Sequence, residues 1–375
     1  MREIRRLIRE FLIWIPGSLG EELILPWVRN IYDKYTPFLE WRTKKYCANE
    51  ARRIRSSIAD GIEHFTIVYD SKISGLAYAA VLNMLAIARY VISQGVSVNF
   101  YIVESDYPHV TGAYDQNEIT YFLNDIVDIS KTLLDPERSS VRLISPETLA
   151  EVVHELGHRS LLFSDFTRNR RPFFRDCWNV FNYLMAEISE SKQDRILFSS
   201  SDFETRFPKT FDAEPYISWH CRFSFKGDDF GRQTLPDEFL KCYQYLKSRF
   251  ENHQIVIISD SLGCEHYASV AQDLQINDLM FSKDYSDDFL GDAALVLSSE
   301  FFFSFRGGGM GQVAELSRMS YECLGAMMND NFWDRDRFSS WQGDSQIYIV
   351  LEKNQFVDDR SLDVELIGSG QTESS

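Results

Sequence analysis

The chain has 375 residues, 44% hydrophobic and 25% charged, which is too long for one core and too apolar for a disordered or fibrous chain, so two domains are expected. A net charge of -17 argues against nucleic acid as a partner, because phosphate backbones would be repelled in bulk. An anionic small substrate would need a local cationic pocket. The cysteines (Cys47, Cys177, Cys221, Cys242, Cys264, Cys323) form no CxxC pair and no tight spacing. That pattern suits a reducing, cytoplasmic compartment better than a secreted disulfide framework or a zinc knuckle.

Residues 1–60 read as an N-terminal helical segment broken at Pro16-Gly17. Its start sets Arg2, Arg5, Arg6 and Arg9 before the apolar run Phe11–Ile15, which is too short for a membrane span and lacks a small-residue cleavage site. Residues 1–15 therefore suit either a first helix packed on the body or a basic amphipathic helix in peripheral contact with an anionic membrane. Next come a strand at Phe65–Tyr69, an Ala/Leu-rich helix at Leu76–Ser93 and a strand at Val96–Val103. This βαβ unit implies parallel pairing with a right-handed crossover. Polar and helical sequence follows from about 115 to 195, with a strand at Val141–Ile144.

A second α/β series starts after Pro208. Strands are expected at Tyr216–His220, Gln254–Ile258, Ala294–Leu297 and Phe301–Phe305, and helices at Pro236–Phe250, Cys264–Leu274 and Gly311–Leu316. The fold class is thus α/β, with two Rossmann-like domains facing each other across a cleft. The expected division is a Rossmann-like acceptor domain with a helical insert over 61–207, a donor-binding domain over 208–360, and a polar, disordered tail over 361–375.

Ligands of open α/β sheets collect beyond the carboxyl ends of strands, and three such ends here carry unusual residues. His220-Cys221-Arg222 closes one strand, where the guanidinium fork can grip a diphosphate. Ser259 and Asp260 follow another and can cap the next helix or bond a nucleoside. Ser304-Phe305-Arg306-Gly307-Gly308-Gly309 runs from a strand into a helix. Its glycines allow backbone N–H groups close to an anion, and Arg306 adds a full charge. Glu315, further along that helix, can accept from ribose hydroxyls.

The order strand–His-x-Arg, strand–Ser-Asp, strand–Ser-x-x-Gly-Gly resembles the donor domain of the GT-B fucosyltransferase-like enzymes, the α1,2/α1,6 and protein O-fucosyltransferase group. The likeness covers about 215–325. It departs from the family after Arg222, where Phe223-Ser224 replaces a second arginine and an aspartate. What the resemblance implies is a nucleotide-sugar-dependent glycosyltransferase in glycan or surface-polysaccharide synthesis, with a GDP-sugar as donor substrate, a hydroxyl acceptor and no cofactor. Fucose itself is less securely implied. Arg222 would hold the donor's β-phosphate and, with Arg306, neutralise the departing diphosphate, while His220 alongside would orient it or donate a hydrogen bond. Ser259, Asp260, Ser304, Arg306, Gly307, Gly308, Gly309 and Glu315 would bind the donor, without a metal.

The acceptor's base should come from the N-terminal half, with His154, Glu155 and Asp165 as candidates. One rival reading rests on His154-Glu155-Leu156-Gly157-His158, a literal H-E-x-x-H that suits a zinc metallopeptidase. It lacks the extended pattern, since Leu161 and Ser164 stand where a glycine and a histidine would follow. A second rival is a non-catalytic nucleotide-sugar-binding protein. The cationic stretch Arg168–Arg171 beside Phe173, Phe174 and Arg175 can receive an anionic or lipid-linked acceptor, or simply form a solvated helix start.

Overall fold

A computed structural model of the chain describes residues 41, 44–70, 78–104, 116–156, 161–163, 184–188, 197–212, 215–223, 234, 236–305, 309–317, 319, 321–325, 346–352 and 355–358. The calls on residues 1–15, Gly157, His158, Asp165, the stretch 168–175, Arg306, Gly307, Gly308 and the tail from 361 lie outside these.

Helix α1 (44–59) leads into the first sheet. It comprises β1 (His64–Asp70), β2 (Ser97–Val103), β3 (Ser139–Ile144) and β4 (Leu161–Phe163). Their spatial order is β3-β2-β1-β4 and every pairing is parallel. Between the strands run α2 (Tyr78–Ser93), α3 (Gln116–Leu133) and α4 (Pro146–Leu156).

The second sheet comprises β5 (Tyr216–His220), β6 (Gln254–Ile258), β7 (Leu279–Phe281), β8 (Phe301–Phe305), β9 (Tyr321–Gly325), β10 (Gln346–Glu352) and β11 (Gln355–Asp358). Its order is β11-β10-β9-β8-β5-β6-β7, parallel except for the β10–β11 pair. Counted from β5, the six parallel strands follow the doubly wound order 3-2-1-4-5-6, whose direction reverses between β5 and β8. The first sheet repeats the 3-2-1-4 part of that order. Helices α5 (Pro236–Arg249), α6 (Ser261–Asp273), α7 (Phe289–Ser298) and α8 (Gly309–Glu315) complete this half.

Strand alternation decides which core each residue joins. Ile217, Trp219, Ile255, Ile257, Phe301 and Phe303 point to one face, where α5 and α6 add Phe239, Leu246 and Tyr267. Tyr216, Val256, Ile258 and Phe302 point the other way, into a core continuous with that of the first sheet. Helix α2 is buried from Ala80 to Ala88 without a break, because its two sides are covered by its own sheet and by α8 of the other half. Helix α7 likewise meets α3 and the 3-10 turn Ser200–Arg206.

The expected strand at Ala294–Leu297 is helical and lies within α7. An unbroken apolar run carries no periodicity, so the same residues fit a buried strand or a helix buried on all sides. Asp288 resolves the ambiguity, since its side chain accepts from the Gly291 amide and caps a helix. Strands β4, β7, β9, β10 and β11 have no counterpart in the expectations above. Among the described residues, no helix is long and apolar enough to cross a membrane.

Candidate active site

A cleft of about 310 Å³ opens at the reversal point of the second sheet, and the first half closes its other side. From the first half come Tyr78, Tyr121 and Asp125; from the second come His220, Ile258, Ser259, Asp260, Ser261, Lys283, Asp287, Asp288, Phe289, Asp292, Gly309 and Met310.

His220 reaches the cleft by alternation, sharing with Tyr216 and Ser218 the face of β5 that looks toward the first half. Its Nδ1 lies 3.4 Å from Oγ of Ser304, which projects from the same face of β8. Burial, helped by the Arg222 charge, pulls the imidazole down to about 3, so it is neutral at physiological pH. The segment after it is firmly held. The Cys221 carbonyl accepts from the Ser259 hydroxyl at 2.8 Å, the Arg222 carbonyl accepts from the Tyr267 phenol at 2.6 Å, and Phe223 stacks on His266 at 4.5 Å. Arg222 is thus anchored through its backbone beside the cleft, although its side chain is not among those lining it.

Ser259 and Asp260 line the cleft and also have structural tasks. Ser259 binds Cys221, and Asp260 caps α6 through the Gly263 amide at 2.7 Å. Gly309 lines the cleft too. A Cβ there would come within 3.2 Å of both Phe289 and Tyr78, so this glycine serves the close approach of the two halves. Glu315, the last residue of α8, is not among the lining residues, and neither is Glu155, which is exposed on the last turn of α4 beside exposed His154.

Several cleft residues had been missed by sequence reasoning. Lys283 follows β7 and bonds Oδ2 of buried Asp292 at 2.7 Å. Oδ1 of Asp292 is buried without a hydrogen-bond partner. Burial raises this carboxyl to about 6, against the opposing pull of Lys283 and Ser282. Across the cleft, the Tyr78 phenol donates to Oδ2 of Asp125, while its ring stacks on Phe289 at 4.5 Å. Burial also raises the Asp125 carboxyl. A sequence signal for part of this did exist. Asp260-x-x-Gly263 and Asp288-x-x-Gly291 are matching helix starts, each with a serine against its glycine: an added Cβ would lie 2.0 Å from Ser259 Oγ or 2.2 Å from Ser286 Oγ.

The described lining holds five carboxylates against one lysine, which is already paired. Hydroxyl and N–H donors are therefore welcome throughout, whereas a diphosphate fits only where Arg222 can offset the carboxylates. Among the described residues, no group of three or more His, Cys, Asp or Glu is arranged to hold a metal ion.

Fold and site together define a doubly wound α/β protein with a cleft between two parallel sheets. No family model matches the chain, and no curated protein does. Among solved structures it is similar to a family 9 glycosyl transferase from Veillonella parvula, with TM-score 0.43, 9% identity, and 76% of this chain and 86% of the other covered. It is also similar to E. coli ADP-heptose LPS heptosyltransferase II, with TM-score 0.40, 10% identity, and 77% and 92% covered. A third is UDP-GlcNAc 2-epimerase from Neisseria meningitidis bound to UDP-GlcNAc, with TM-score 0.40, 11% identity, and 76% and 86% covered. Likenesses this distant carry no argument about activity.

Proposed function

We propose that the protein is a glycosyltransferase that moves a sugar from a nucleoside-diphosphate donor to a hydroxyl acceptor, with the donor on residues 208–360 and the acceptor facing it from 61–207. The observation that carries this reading is the cleft at the reversal point of the second sheet, lined by neutral His220, with Arg222 two residues further along the same segment. Arg222, with Arg306, would stabilise the charge that develops on the departing diphosphate, a role that needs no metal. Of the first half's carboxylates, Asp125 lines the cleft and takes over the role of acceptor base that sequence reasoning gave to Glu155. Burial raises its pKa above the ordinary carboxylate value, the direction that favours proton uptake.

GDP is favoured over UDP. The carboxylates that line the cleft are acceptors, and guanine offers two adjacent N–H donors on one edge. Uracil offers one N–H flanked by carbonyls, which a carboxylate repels. The test is release of nucleoside diphosphate from GDP-fucose, GDP-mannose, UDP-glucose and ADP-glucose, with and without a chelator. GDP release that survives the chelator is expected; inertness toward every donor would sink the enzymatic reading and leave a binding protein.

A further inference from the structure

Charge is distributed unevenly along this acidic chain. Residues 1–60 contain 12 Lys/Arg and 8 Asp/Glu, a net of +4, while the remaining 315 contain 27 and 48, a net of -21. Helix α1 displays the basic end of this asymmetry in an ordered way. Its inward stripe is Cys47, Ala51 and Ile54, each 0% exposed in the shared core. At 100° per residue the opposite stripe of α1 is Lys45, Asn49, Arg52 and Ser56, with Trp41 ahead of it beside Lys45, and all five residues are exposed. Trp41 is 55% exposed, the Lys45 ammonium lies 5.1 Å from its ring, and no acid shares the stripe. The helix's own acid, Glu50, is turned aside and paired with Arg53 at 2.9 Å. Arg55 extends the cationic face while donating to the Glu187 carbonyl.

We propose that this face of α1 docks the protein on an anionic lipid surface. Exposed indole beside lysine is the pairing that suits the headgroup layer, where an amphipathic ring sits among phosphates and cations gain from the negative surface potential. The complementarity also orients the molecule. The body, at net -21, is repelled by the same surface that attracts α1, so the protein sits on its N-terminal end. Attraction of this kind weakens as salt rises, because exposed charges are screened within about 10 Å at 0.1 M.

The full chain is sedimented with vesicles of phosphatidylcholine alone and with vesicles of phosphatidylcholine and phosphatidylglycerol in equal parts. The proposal expects salt-sensitive binding to the mixed vesicles and none to the neutral ones. Lys45→Glu with Arg52→Glu should weaken binding by about tenfold or more, Lys45→Arg with Arg52→Lys should leave it intact, and Trp41→Ala should weaken it without a charge change. Circular dichroism and melting temperature confirm that these exposed substitutions leave the fold unchanged. Absence of binding to the mixed vesicles, or undiminished binding by the charge-reversed protein, would overturn the proposal.

Discussion

The two sheets share one winding pattern and use it differently. Each is built outward from an inner strand, β1 or β5. β1 closes on buried Asp70, a carboxylate, whereas β5 closes on His220, an imidazole held neutral. The first half gives the cleft two tyrosines and an aspartate, while the second gives it Lys283 and the rest of the lining. A shared backbone plan thus leaves chemistry to the residues at strand ends. The half whose inner strand ends at His220, just ahead of Arg222, is the one proposed for the phosphate, and the half with Asp125 the one proposed for the hydroxyl.

The strongest way to break this contrast is to remove one carboxylate from each half. Asp292→Ala leaves partly buried Lys283 unpaired and should cost about 3–5 kcal/mol, read by urea denaturation. Asp125→Ala strands only a phenol and should cost about 1–3 kcal/mol. Equal losses would mean that the two carboxylates are not held differently. Gly263→Ala and Gly291→Ala push a methyl group into Ser259 or Ser286 and should each cost about 1–3 kcal/mol.

Protonation sharpens the contrast within the second half. His220, at about 3 against an ordinary 6.5, is protonated first in the unfolded chain, so the fold loses stability as pH falls from about 6.5 to 3. Asp292, at about 6 against 3.8, is protonated first in the folded chain, so the fold regains stability from about pH 6 to 3.8. The two slopes oppose each other between about pH 6 and 4. Melting temperature over that range should fall more steeply in Asp292→Asn and less steeply in His220→Asn than in the wild type. The smallest effect is expected at Arg206, whose ion pairs with Asp128 and Asp288 join the halves across partly exposed surface. Arg206→Ala should cost less than about 1 kcal/mol.

Much of the fold was legible because strands such as Tyr216–His220 and Gln254–Ile258 are short, apolar and bounded by polar residues. The failures have physical causes. Ala294–Leu297 carries no period, because α7 is buried on all sides, and β7 is three half-buried residues with no alternation to read. At the site, His220, Ser259, Asp260, Ser304 and Gly309 were visible as strand-end residues. Asp125 was not, because its meaning arises from α3 packing against a half distant in sequence, and Lys283 and Asp292 were not, because their pairing depends on the turn between β7 and α7. Asp292 lies inside a helix whose later residues, Ala294–Leu297, were themselves expected to be a strand.

The central claim is that the crevice at the end of β5 holds the diphosphate of a nucleotide donor, and titration calorimetry with GDP tests it most directly. The account predicts that GDP binds the wild-type protein more tightly than UDP does. Arg222→Ala should weaken GDP by about tenfold or more, since charge-assisted phosphate bonds contribute roughly 1.5–3 kcal/mol. Unchanged GDP affinity in a folded Arg222→Ala protein would contradict it.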